Sequence, residues 1–122
     1  FNTNATSGPA AEFVQKYNAK YDSSKEPVNQ FGAAAYDCVY AIYEALKFAK
    51  ETLNKEFDET TSASDYCDIL KEVFSNSDFV FHGITGKCEG NNKSNISWTS
   101  NGYVNKAADK YVVKPQGLVS GN

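Results

Sequence analysis

A long apolar stretch between residues 30 and 53 constrains this chain more than any other feature. Apolar and aromatic residues recur in it every three or four positions, which is the spacing of one helix face. They are Ala34, Tyr36, Val39, Tyr40, Ile42, Tyr43, Leu46 and Ala49. The spacing predicts a helix from Gln30 or Phe31 to about Leu53. Its N-terminal half is apolar on nearly every side, so we expect that half to be buried on more than one side.

Two shorter helices are predicted on either side of this stretch. Pro9 marks the first helical position of one, because its missing N–H costs nothing there, and that helix should run to about Tyr21. The other helix should be capped by Ser62 or Ser64. Its expected buried face consists of Ile69, Leu70, Val73 and Phe74.

After residue 78 the pattern changes to one typical of strands. Residues 79–82, 96–98 and 111–113 are rich in β-branched and aromatic side chains, and Asn101-Gly102 predicts a hairpin turn. The glycines of residues 83–86 predict a strand bend or bulge. A phosphate-binding loop would open a helix, and no helix is expected there. The predicted class is therefore α/β, with three helices followed by short strands and a hairpin.

Charge and cysteine content narrow the function further. The net charge is −3, and all 12 basic residues are lysines. These lysines form no cationic stripe along the sequence, so we expect no nucleic-acid partner. The spacing of Cys38, Cys67 and Cys88 matches no zinc pattern, and we expect no metal ion and no cofactor. Cys38 is expected in the core, whereas pairing of Cys67 with Cys88 stays open.

His82 is the only histidine of the chain. It lies in an apolar strand, and the local sequence nominates no nucleophile or orienting partner for it. We therefore interpret it as a structural histidine and expect no catalytic residue and no enzyme activity.

Asn29, Gln30 and Phe31 are the candidate ligand-binding residues. They stand just before or at the start of the long helix, where free N–H groups and the positive dipole end can hold a small anionic or zwitterionic ligand. The same residue types suit simple helix capping and packing. The spacing leaves both interpretations open.

The order of several segments resembles the closing third of type 1 periplasmic binding proteins, the Leu/Ile/Val amino-acid receptors of ABC importers. The resemblance spans about residues 10–114 and rests on order and spacing more than on any single motif. Its segments are Phe13-Val14-Gln15-Lys16-Tyr17, Ala34-Ala35-Tyr36-Asp37, Gly83-Ile84-Thr85-Gly86, and Ile96-Ser97-Trp98 with the turn Asn101-Gly102. The chain departs from the family at Cys38, where alanine is usual, at Trp98, where phenylalanine is usual, and by an insertion over residues 88–95.

The resemblance implies that residues 1–122 are a single segment, the C-terminal portion of a two-lobed ligand-binding domain and part of one lobe. It implies an extracytoplasmic solute-binding component of an ABC transport system, in the periplasm or on the cell surface, lipid-anchored through a segment before Phe1. The implied partners are an amino acid or related polar solute and an ABC permease in the membrane. Phe31 is the family's pocket-lining position, with Asn29 and Gln30 beside it.

Two alternatives remain open at this point. One is a ligand-sensing receptor domain of the same fold, in which closure is read by a signalling partner. The other is a small non-enzymatic interaction domain complete in 122 residues. If the chain is a fragment, it should expose an apolar face, and we expect it to self-associate when expressed alone.

Overall fold

The computed structural model describes residues 1–108, 110–114 and 117–120. Within these residues, three helices precede five short strands. The helices are α1 (Gly8–Lys20), α2 (Gln30–Glu51) and α3 (Ala63–Phe74). The strands are β1 (Phe81–Gly83), β2 (Ser94–Trp98), β3 (Val104–Asn105), β4 (Tyr111–Lys114) and β5 (Gly117–Ser120). This mixed architecture agrees with the predicted α/β class, and the predicted order of helices, strands and hairpin is confirmed.

The helices begin where Pro9 and two capping residues predict. Pro9 lies in the first turn of α1. The side chain of Asn29 accepts a hydrogen bond from the N–H of Gly32 at 2.9 Å at the start of α2. Ser62, not Ser64, caps α3 by accepting from the N–H of Asp65 at 3.1 Å. Because each cap satisfies an N–H that the helix itself leaves without a partner, the local sequence determines these boundaries.

The strands form two antiparallel sheets. The first has the order β1-β2-β3, with Phe81 opposite Ile96 and Trp98 opposite Val104. The predicted turn between β2 and β3 is confirmed: Gly102 has a φ of +83°, a conformation that glycine adopts without a steric penalty. The second sheet pairs β4 with β5; β4 was predicted and β5 was not.

The main core lies between α2, α3 and the first sheet. The side of α2 that faces it carries alanines one turn apart, Ala41, Ala45 and Ala49, all buried. Small side chains at this spacing let α3 and β1 approach the helix closely. The larger side chains come from the other elements, and they include Val73, Phe79, Phe81 and Ile96.

Two burial predictions are wrong. The N-terminal half of α2 is buried along one side only, and Phe31 and Val39 there are 75% and 68% exposed. Cys38 is exposed as well. The physical reason is the same for both: within the described residues, α3 and the first sheet cover the alanine side of α2, and Cys38 lies one residue, or about 100° of rotation, off that side.

Candidate functional site

The three predicted ligand-binding residues lie together at the N-terminal end of α2. Asn29 uses its side-chain oxygen to cap the helix, so the capping interpretation is confirmed for that residue. Gln30 is exposed, and Phe31 is 75% exposed and points away from the core. Binding of a ligand by these residues stays a prediction.

A buried carboxylate joins α2 to the bend that follows β1. Asp37 is 6% exposed, and both of its oxygens accept from the N–H of Ile84, at 3.0 and 3.1 Å. Its Oδ2 also accepts from the N–H of Thr85 at 2.8 Å and from the Thr85 hydroxyl at 2.6 Å. These donors replace the water that the carboxylate loses on burial. We call Asp37 together with residues 83–86 the Asp37 latch.

Two glycines permit close approaches at the bend, Gly83 to Asp37 and Gly86 to the backbone of Ala107. A Cβ atom on Gly83 would stand 2.5 Å from Oδ2 of Asp37, which is far inside van der Waals contact. Gly86 has a φ of +76°, and a Cβ there would stand 2.7 Å from the carbonyl oxygen of Ala107. The predicted bend is confirmed, and its N–H groups bind a carboxylate of the protein itself.

Two further side chains tie the latch to the rest of the chain. The ammonium of Lys106 donates to the Thr85 hydroxyl at 3.0 Å. The same hydroxyl donates to Asp37, so a single hydroxyl separates the positive charge from the buried carboxylate. The hydroxyl of Ser94, at the start of β2, donates to the carbonyl oxygens of Gly83, at 3.1 Å, and of Thr85. The latch therefore holds α2, β1, β2 and the segment around residue 106 in one arrangement.

A cavity of about 210 Å³ lies beside the latch, and Tyr36, Tyr40 and Phe81 are among the residues that line it. Partial burial raises the pKa of Tyr36 above its usual value, and a hydrogen bond with Tyr40 and the negative charge of Asp37 act in the same direction. Tyr36 is therefore a neutral phenol at physiological pH. It can donate or accept a hydrogen bond there and supplies no charge.

His82 is hydrogen-bonded but solvent-exposed. Its Nδ1 lies 2.8 Å from the side-chain oxygen of Asn95, the residue opposite it in the β1–β2 pair. The contact agrees with a structural histidine, although the side chain points to solvent, where it borders a polar groove of about 660 Å³. Cys67 is an exposed free thiol.

Two features are absent from the part of the chain that the structure describes. It holds no group of three His, Cys, Asp or Glu side chains placed to bind a metal ion. In the same residues, no helix combines the length and the apolar composition that a bilayer span requires.

Comparisons with known proteins identify no family for this chain. No protein-family model, no curated protein and no solved structure matches the chain. The resemblance to amino-acid receptors therefore stays a prediction. The Asp37 latch was missed at the sequence level, although its signal was present: one carboxylate in the apolar half of a helix, and a threonine between two glycines downstream.

Proposed function

We propose that this chain is a C-terminal structural portion of an extracytoplasmic solute-binding protein. The whole protein would bind an amino acid or related polar solute and deliver it to an ABC permease. Its mechanism would be closure of two lobes around the solute, without bond chemistry. The proposed location is the periplasm or the cell surface, with a lipid anchor on a preceding segment.

A second apolar side on α2 is the observation that carries the proposal. Phe31, Val39, Ile42 and Tyr43 share one side of the helix at 3.6 residues per turn, and they are 75%, 68%, 45% and 61% exposed. We call these four residues the uncovered side. Soluble monomers rarely expose a contiguous apolar patch of large side chains. A helix that is apolar on two sides is suited to a position inside a layered α/β lobe, where a larger sheet covers the second side.

The Asp37 latch adds support of a different kind. Lobes that close by hinge motion move as rigid bodies, and the latch joins a helix, two strands and a loop through buried hydrogen bonds. Phe31 lies at the N-terminal end of the uncovered side. We propose that Phe31 lines the solute cleft, with Asn29 and Gln30 beside it.

The direct test is a thermal-shift screen on the full polypeptide that the gene encodes. We expect amino acids or their amides to raise the unfolding midpoint, because a ligand at about 100 times its Kd stabilises the native state by about 2.7 kcal/mol. Sugars and nucleotides serve as negative controls. A midpoint that no amino acid or amide moves would contradict the proposal.

A second test concerns the uncovered side in the 122-residue chain alone. We expect sedimentation velocity to show concentration-dependent self-association that the double variant Val39→Gln/Tyr43→Gln removes. The matched control is Tyr103→Gln, since Tyr103 is 73% exposed in the β2–β3 turn, away from the uncovered side, and should change nothing. If the wild-type chain stays monomeric at high concentration and binds leucine tightly, no further sheet is needed to cover the uncovered side. That result would contradict the proposal that the chain is a portion of a larger lobe.

A further inference from the structure

A groove of about 380 Å³ lies between α1 and the first turns of α2, and aromatic rings line it. The ring of Phe13 lies 5.0 Å from that of Tyr36 and 6.0 Å from that of Tyr17, and Tyr17 lies 4.7 Å from Tyr21. The four rings therefore form a continuous row. Tyr21 and Tyr36 are 40% and 41% exposed, so the row offers ring surface and phenol hydroxyls to a partner.

Lysines stand on both rims of this groove. Lys16 and Lys20 lie one turn apart on α1, and Lys93 reaches the groove from the loop before β2. Glu12 is the single carboxylate among the lining residues. In the part of the chain that the structure describes, none of the three ammonium groups takes part in an ion pair. A chain with a net charge of −3 therefore has a local excess of positive charge at this groove.

We propose that this groove, which we call the tyrosine groove, binds a short acidic segment of another protein. An apolar or aromatic side chain of that segment would lie on the ring row between Phe13 and Tyr36. Carboxylates on either side of it would face Lys16 and Lys20 on one rim and Lys93 on the other. Tyrosine-rich surfaces with a cationic rim combine apolar burial with electrostatic selection of the partner. The proposal does not depend on the proposed solute-binding function.

Two other occupants fit the groove less well. Single-stranded nucleic acid also uses aromatic rings and cations, but three lysines on an acidic chain give it little long-range attraction. A second copy of this chain offers the acidic segment of residues 56–59, whose one aromatic residue is Phe57. That ring is partly buried and lies 5.5 Å from the ring of Tyr66, so it is not available to enter the groove.

The test is a fluorescence-anisotropy titration of the 122-residue chain against a labelled peptide, Asp-Leu-Asp-Phe-Asp-Glu, at low salt. Three comparison probes are the same peptide with lysine at every acidic position, the same peptide with alanine at both apolar positions, and an oligothymidine. We expect the acidic aromatic peptide to bind most tightly of the four. Its affinity should fall several-fold between about 20 and 200 mM salt, because the ion pairs lie at the surface.

Two double variants locate the binding. Lys16→Gln/Lys20→Gln should weaken the acidic peptide about fivefold or more, as expected for loss of surface ion pairs. The control Lys50→Gln/Lys71→Gln changes the net charge equally, at exposed positions on α2 and α3, and should leave the affinity within about twofold of wild type. All four lysines are exposed on helices, and glutamine is a good helix former, so circular dichroism should show unchanged folding.

Several results would overturn the proposal. These are equal losses in the two double variants, equal binding of the lysine peptide, tighter binding of the oligothymidine, or no peptide binding at millimolar chain concentration. If the anisotropy rises only at chain concentrations at which sedimentation velocity shows self-association, the groove binds a second copy of the chain instead. Loss of affinity in Lys16→Gln/Lys20→Gln alone, together with salt sensitivity, is the result that supports an acidic partner.

Discussion

The replacement Asp37→Asn tests whether the latch stabilises the fold. Asparagine has nearly the same shape as aspartate, so the change leaves no cavity and removes only the charge and one acceptor. In the native chain the carboxylate accepts from the N–H of Ile84 and from the N–H and the hydroxyl of Thr85. An amide in its place turns one NH₂ group towards these donors, whichever way it is oriented.

The magnitude follows from these three donors. A hydrogen bond to a charged acceptor contributes roughly 1 kcal/mol more than a neutral one, so three donors that lose the charge predict a loss of about 3 kcal/mol in the free energy of unfolding. That is a large share of the roughly 5–15 kcal/mol that holds a domain folded. Thr85→Val should couple to Asp37→Asn by about 1 kcal/mol or more, because both residues belong to one hydrogen bond.

Urea unfolding at pH 7 provides the measurement. Circular dichroism reports on the helices, and fluorescence reports on Trp98, the only tryptophan, whose ring packs against Phe74 and Phe79. All variants are compared at one low chain concentration, because self-association would add to the apparent stability. The control is Asp68→Asn at an exposed site on α3, which should change the free energy by less than about 0.5 kcal/mol.

The reasoning is refuted if Asp37→Asn behaves like Asp68→Asn. It is refuted as well if Thr85→Val costs the same free energy with aspartate and with asparagine at position 37. If Asp37→Asn is unfolded without urea while Asp68→Asn is folded, the loss in the free energy of unfolding has the predicted direction and is larger than predicted.

Three further predictions concern local features of the chain. Gly83→Ala should destabilise the fold by about 2 kcal/mol or more in urea unfolding, since the added Cβ would clash in the latch. The control Gly32→Ala adds a Cβ that meets only ordinary contacts and should be neutral or stabilising. Equal effects of the two replacements would contradict this prediction. Asn29→Ala should cost about 1 kcal/mol in the same assay through loss of the α2 cap, and an unchanged midpoint would refute that role. Hydrogen bonds from the side chain and backbone of Thr60 lower the pKa of Asp58 from 3.8. The ionised carboxylate of Asp58 therefore stabilises the loop at pH values above 3.8. This stabilisation is lost as the pH falls through the lower pKa of the folded state. Carbon-13 NMR of the carboxyl should show a pKa below 3.8 that rises in Thr60→Val, and no rise would mean that the hydroxyl is not the cause.

Much of the fold could be predicted from local sequence. Asn29 and Ser62 cap N–H groups three residues away, and Pro9 has no N–H that needs a partner. The starts of the helices therefore did not depend on distant contacts. The turn before β3 was predictable for the same reason, because Gly102 needs no partner to adopt a positive φ. The strand β5 was missed because its place beside β4 depends on cross-strand pairing and not on its own residues.

The candidate site shows where sequence reasoning stopped. Apolar periodicity identified α2 but predicted burial on too many sides, since the periodicity of one helix does not show which neighbours cover it. Asp37 was not recognised as a latch because its donors are 47 and 48 residues away. The tyrosine groove likewise forms only when α1, the start of α2 and the loop before β2 come together.

By itself, the sequence determined the three helices, the order of the elements and the glycine bend, because capping, periodicity and backbone freedom act over a few residues. Only the tertiary structure decided which side of α2 is covered, what the bend binds and which lysines surround the aromatic row. Those features depend on contacts between segments far apart in the chain, and no local propensity encodes them.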